Sequence, residues 1–198
     1  MRGPSSREER LWGGAAFLVV AYMVLAASGQ RLLDSMRARD LLLPAIAGLV
    51  AMAGAVVLVW AIRQRLNPRQ WIAVAVCASL FLRIISSLEI VQERLHLVQY
   101  AVLAGVLEAA LRERWTVASG AAARAWWRPA VAAACATALV GWADEGVQAL
   151  TPERVYDLRD VGLNALAGVL FLAGRGAVRR LADTTSGREA TGPGPHRE

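Results

Sequence analysis

The polar residues able to do chemistry are concentrated in residues 143–168, ADEGVQALTPERVYDLRDVGLNALAG. That stretch holds Asp144, Glu145, Gln148, Arg154, Asp157, Arg159, Asp160 and Asn164, and long apolar segments flank it on both sides. A sparser set stands earlier, where His96 and Tyr100 lie on one short apolar run. Polar groups held against hydrocarbon are costly, so a chain that keeps this many there usually uses them. Carboxylates beside an imidazole can take and return a proton, and an arginine among them can clamp an anion. Glu145 and Asp160 are therefore the candidate general base or ligand, His96 the candidate proton shuttle and Arg154 the candidate anion clamp. Tyr100, Asp144, Gln148 and Asn164 complete the set as candidate substrate-binding groups. One imidazole with two carboxylates is a weak donor set for a divalent ion, so neither a metal nor a cofactor is expected.

Spacing places these groups in pairs on helix faces. His96 and Tyr100 are four residues apart, as are Asp160 and Asn164, while Glu145 and Gln148 are three apart; both spacings put side chains on one face. Each residue also has a plainer role. Asp160 fits a helix N-cap, accepting hydrogen bonds from free N–H groups. Asn164 and Gln148 fit interhelical hydrogen bonds worth roughly 0.6 kcal/mol each. Arg159 fits a solvated loop. The functional reading rests on all of them being brought together.

The elements that must do this are apolar runs. The hydrophobic fraction of 56% exceeds the roughly 45–50% of soluble chains. Charge falls in short clusters between runs of about 17–22 residues, the length needed to cross a ~30 Å hydrocarbon layer. Six runs are legible, at residues 11–28, 41–62, 71–88, 95–111, 129–148 and 160–178. The expected fold is an all-α polytopic membrane helix bundle over residues 11–181, with an N-terminal tail at 1–10 and a disordered tail at 182–198. Residues 11–28 carry signal-peptide features but are read as an uncleaved first helix, because five more runs follow. Residues 30–40 read as a polar loop, and Ala47, Ala51 and Ala55 as a small-residue ridge for close helix packing. Arg83 interrupts the third run and is read as snorkelling to an interface. Cys77 and Cys135 lack metal or disulfide spacing and read as packing residues.

The net charge of +6 does not point to nucleic acid. All 22 basic residues are arginines, and they sit in connections and at the ends. Fifteen of them fall on one side of a six-span arrangement and six on the other, with Arg83 inside a span. The positive-inside bias then puts both termini in the cytoplasm of a multi-pass cell-membrane protein. Parity adds a relation independent of orientation. Two spans separate the connection before His96 from the one containing Pro152 and Arg154, so both lie on one side. His96 and Tyr100 therefore start the fourth span at the level where Glu145 and Gln148 end the fifth and Asp160 and Asn164 begin the sixth.

These residues resemble the VanZ-like membrane protein family. Its pattern is an Asp-Glu pair, then Gln, Pro-x-Arg, Asp and Asn on the next helix, and Gly. The sequence supplies Asp144-Glu145, Gln148, Pro152-Glu153-Arg154, Asp160, Asn164 and Gly168, and His96 with Tyr100 is similar to the family's earlier motif. The resemblance covers roughly residues 94–174. It departs at Val147, where the family often has His, and at Ala167, where it usually has Gly. The resemblance implies an integral protein of the bacterial envelope, and the first reading is that the shared helix ends form an outward pocket that binds or acts on a cell-wall or lipid-linked molecule. The resemblance also implies a link to glycopeptide (teicoplanin-type) resistance. Two other readings remain open. One is a non-enzymatic membrane partner or assembly subunit; the other is a small transporter, which would need a polar path from Asn164 toward Glu108.

Overall fold

The computed structural model describes residues 5–28, 30–119, 127–150 and 156–189. Every regular element among the described residues is an α-helix: α1 (Ser6–Ser28), α2 (Gln30–Ala38), α3 (Leu42–Arg63), α4 (Pro68–Ser87), α5 (Val91–Ser119), α6 (Arg128–Ala149) and α7 (Leu158–Glu189). Five of them contain stretches long and apolar enough to cross a membrane, namely Leu42–Arg63, Pro68–Ser87, Glu93–Thr116, Arg128–Ala149 and Leu158–Ala182. Many large apolar side chains are exposed on the outer faces, among them Phe17, Val56, Ile72 and Leu139. Water would penalise such a surface and hydrocarbon does not. The fold is that of an all-helical, multi-pass membrane protein.

Local sequence explains where the helices begin. Ser5 accepts the backbone N–H of Glu8 at 3.0 Å and caps α1. Asn67 and Gln70 cap α4 reciprocally, at 3.0 and 2.9 Å, with Pro68 in the first turn where its missing N–H costs nothing. The Asn67-Pro68 turn signal is thus a capping box. Arg65 just before it has a positive φ of 50°, and the N–H of Leu66 reaches back to the carbonyl of Ala61. The same closure ends α2, where Asp40 has φ 53° and Leu41 bonds to Met36. Both are left-handed C-terminal caps of the kind that usually carry glycine.

The interior is built by α5, α6 and α7, with α1, α3 and α4 packed around them. Leu97, Leu103, Ala104, Ala133 and Ala167 have no accessible surface. Side-chain pairings give the directions. Ser5 and Glu8 at the start of α1 meet Glu113 and Arg114 late in α5, whereas Tyr22 late in α1 reaches the Gln99 carbonyl early in α5. Helix α1 is therefore antiparallel to α5. Glu93 at the start of α5 pairs with Arg159 at the start of α7, and Glu108 later in α5 pairs with Arg175 and Arg179 later in α7, so those two helices run parallel. Gln70 at the start of α4 donates to the Val178 carbonyl at 2.9 Å, which puts the start of α4 at that same end.

Several expectations are corrected. Residues 30–38 are not loop but the short helix α2, whose Leu32, Leu33 and Met36 interrupt the polar pattern at helical spacing. The Ala47, Ala51 and Ala55 ridge is exposed, and α3 instead buries Leu42 and Ile46. Small residues favour close packing only where a neighbour's shape accepts them. Cys135 is exposed, while Cys77 faces α7. Helix α1 already begins within the expected tail, and its Glu8 is buried. At the other end α7 continues past Ala182 to Glu189; residues 190–198 lie outside the described residues. Arg83 is exposed near the end of α4, as a snorkelling arginine is.

Candidate functional site

The polar residues sort into layers along the α5–α6–α7 interior, one from each helix. In the top layer a ring nitrogen of His96 and carboxylate oxygens of Glu145 and Asp160 all lie within 4.8 Å of one another. Glu145 is buried; His96 and Asp160 are half-buried, so the layer opens at one end. One turn deeper stand Tyr100, Gly141 and Asn164. A Cβ on Gly141 would lie 2.9 Å from the Asn164 Cβ and 3.4 Å from the Tyr100 ring, so only glycine leaves room for both. The next layer is Ala104, Thr137 and Gly168, where a Cβ on Gly168 would meet Thr137 at 3.1 Å and Ala104 at 3.4 Å. Steps of four residues on each helix generate this stack, each about 6 Å deep.

The second layer is tied to the first. Tyr100 donates its hydroxyl to Asp144 Oδ2 at 2.9 Å, a buried contact between α5 and α6. The Tyr100 ring lies edge-on to His96 with centroids 6.2 Å apart, and Tyr22 of α1 packs on its other side at 6.0 Å. Asn164 has no accessible surface, and neither atom of its amide has a hydrogen-bond partner among the described residues. Gln148 is buried one turn beyond Asp144, on the same face of α6.

At the rim, α7 is started by Asp157, whose carboxylate accepts the Arg159 N–H at 2.8 Å. The capping role expected for Asp160 thus belongs to Asp157. Asp160 sits in the first turn, where the helix dipole favours its charge. Arg159 is not merely solvated: its guanidinium grips Glu93 at 3.1 and 3.4 Å, clipping the start of α7 to the start of α5. Arg154, the expected anion clamp, and Pro152 lie outside the described residues.

Of the sequence-derived set, the structure therefore gathers His96, Tyr100, Asp144, Glu145, Gln148, Asp160 and Asn164 at one end of three helices. It adds Tyr22, Gly141 and the Glu93–Arg159 pair, which sequence reasoning missed. Tyr22 carries no polar neighbours to mark it, and a glycine's clearance role shows only once its neighbour on α7 is known.

No protein-family model, curated protein or solved structure matches this chain. The chain's own geometry carries the functional reading.

The opposite end of the same helices holds a different polar centre. Buried Glu108 pairs with Arg112 at 2.7 Å, with Arg175 at 3.0 Å and with Arg179. Arg175 also donates to the Gly105 carbonyl at 3.1 Å and stacks over Phe171. Twelve residues of α5 separate His96 from Glu108, about 18 Å along the axis. Between them stand Leu103, Ala104, Leu107, Ala133 and Leu172, all buried and apolar, and Thr137 is the polar exception.

Proposed function

We propose that this chain is a VanZ-like integral protein of the bacterial cell membrane whose layered pocket faces outward and binds or acts on a cell-wall or lipid-linked molecule. The observation that carries this reading is the meeting of His96, Glu145 and Asp160, from three helices, within 4.8 Å at one end of the interior. Helix capping alone needs no such convergence. A proton-transfer site needs it, because donor and acceptor must come within hydrogen-bond reach of one reacting group. In this reading Glu145 or Asp160 accepts a proton, His96 relays it to the open end, and Tyr100, Asp144, Gln148 and Asn164 hold the ligand. Arg154, adjoining the pocket in sequence, supplies the positive charge for an anionic group.

The topology we infer has six spans, with α1 crossing as the first. The antiparallel packing of α1 on α5 supports this. The start of α1, the α3–α4 turn, the end of α5 and the end of α7 carry most of the arginines, which supports cytoplasmic termini. The pocket then opens outside, where lipid-linked wall precursors present their headgroups. A resistance role toward teicoplanin-type glycopeptides is the phenotype we propose from the resemblance.

The test compares the wild-type chain with a variant lacking His96, Glu145, Arg154 and Asp160 (all →Ala) in a glycopeptide-sensitive host. Teicoplanin susceptibility is read together with membrane abundance. The proposal expects protection that the variant loses at unchanged abundance. Protection retained by an equally abundant variant contradicts it. A loss that follows abundance alone favours the structural-partner reading, for which the Tyr100–Asp144 hydrogen bond speaks.

A further inference from the structure

We infer that His96, Glu145 and Asp160 form a binding site for one divalent transition-metal ion, of the Zn2+ or Mn2+ class. This deepens the proposed reading of the same pocket, resting on it for the ion's role and not for its binding. Donors of one tetrahedral zinc ion lie about 2.0–2.2 Å from it and so stand roughly 3.4 Å from one another. The three donor atoms already lie within 4.8 Å of one another. Side-chain rotations that draw the donors together by up to about 1.4 Å would close the set.

The donor types agree with that ion class. An imidazole nitrogen selects transition ions over Mg2+ or Ca2+, while two carboxylates supply the charge that offsets a divalent cation. Three protein donors leave a further coordination position for water or a ligand group, the pattern of catalytic rather than structural zinc sites. The two outer members are half-buried, so the set is reachable from the open end. A bound ion would also reverse the local electrostatics. Two bare carboxylates repel a phosphate, whereas the ion-filled set is formally neutral with a Lewis acid at its centre.

Asn164 gives an independent indication that the pocket is built for an occupant. Its side chain lies one turn beneath the three donors, fully buried, with both amide atoms lacking a partner among the described residues. Buried amides are nearly always satisfied, and one that is not points to a group or water held in the space it faces. Gly141 lets α7 bring that side chain close against α6, since any Cβ there would press on Asn164.

The experiment uses the full chain purified in nanodiscs and stripped with EDTA. Co2+ is titrated by visible absorption, and Zn2+ by calorimetry. One saturable site per chain is expected. Loss of an outer-shell partner costs metal sites about 10–100-fold in affinity, so His96→Gln, Glu145→Gln and Asp160→Asn should each cost at least about 100-fold. The triple variant should abolish the site. Thermal melting of each metal-free variant reports its fold. Asp160→Asn, at the half-exposed rim, keeps the test available if the buried Glu145→Gln does not fold. Absence of saturable binding overturns the inference, as does a site whose affinity changes less than tenfold in every folded variant. Zn2+ binding without the pocket-dependent phenotype would sink the envelope reading alone; the phenotype without Zn2+ binding would sink the metal site alone.

Discussion

Tyr100 on α5 donates its hydroxyl to Asp144 on α6 across 2.9 Å, and both residues are buried. This bond fixes the two helices in register so that His96 and Glu145 face each other above it. Tyr100→Phe keeps the ring packing against Tyr22 and His96 but removes the donor. We expect a stability loss of about 1–3 kcal/mol, above the roughly 0.6 kcal/mol typical of interhelical hydrogen bonds in membranes, because the acceptor left behind is a buried carboxylate. Thermal unfolding in detergent checks it, and an unchanged midpoint would show the contact to be incidental.

The glycines of α6 give an internal control. A Cβ on Gly141 would sit 2.9 Å from that of Asn164, whereas one on Gly146 would meet nothing within 4 Å. Gly141→Ala should therefore destabilise by about 1–3 kcal/mol through overpacking. Gly146→Ala, in the same helix, should be neutral or stabilise by roughly 0.5–1 kcal/mol through helix propensity. Equal effects at both positions would contradict the close approach of α6 and α7.

At the far end, Glu108 pairs with Arg112, Arg175 and Arg179. Glu108→Ala leaves three arginines crowded in a partly buried site, and breaking such a pair from one side costs about 3–5 kcal/mol. The expected readout is a large fall in membrane abundance. Combining it with Arg175→Met should restore part of that loss, because the most enclosed of the repelling charges is gone. No restoration would mean that Glu108 matters through packing and not charge.

Sidedness is testable with single cysteines in a Cys77→Ala, Cys135→Ala background. Leu158 at the start of α7 is exposed beside the pocket, and Trp127 is exposed at the start of α6. Leu158→Cys should react with a membrane-impermeant maleimide on intact cells, and Trp127→Cys only after permeabilisation. The opposite pattern would invert the proposed orientation.

Much of the site was legible because its information is one-dimensional. Helical periodicity pairs His96 with Tyr100 and Asp160 with Asn164, and counting spans places the ends at one level. What parity cannot show is rotation of each helix about its axis. That is why the Ala47–Ala51–Ala55 ridge was assigned to packing, although α3 turns it outward, and why Gly141 passed unnoticed. Lateral neighbours are equally invisible: Tyr22 joins the site from a helix nearly eighty residues upstream, 77 residues from the Gln99 carbonyl it bonds. Glu108 read only as the far end of the polar path a transporter would need, because its three arginine partners are spread over α5 and α7. The short α2 was missed since its hydropathy is that of a loop and only its periodicity is helical.

The central claim is that the pocket holds an envelope molecule at the outer face, and ligand binding tests it most directly. The measurement is binding of a polyprenyl-pyrophosphate-linked wall precursor to the chain in nanodiscs, comparing wild type with Glu145→Gln/Asp160→Asn at matched folding. The account predicts saturable binding by the wild-type chain and at least a tenfold weaker affinity in the variant. Equal affinity in both, or none in the wild type, would contradict it.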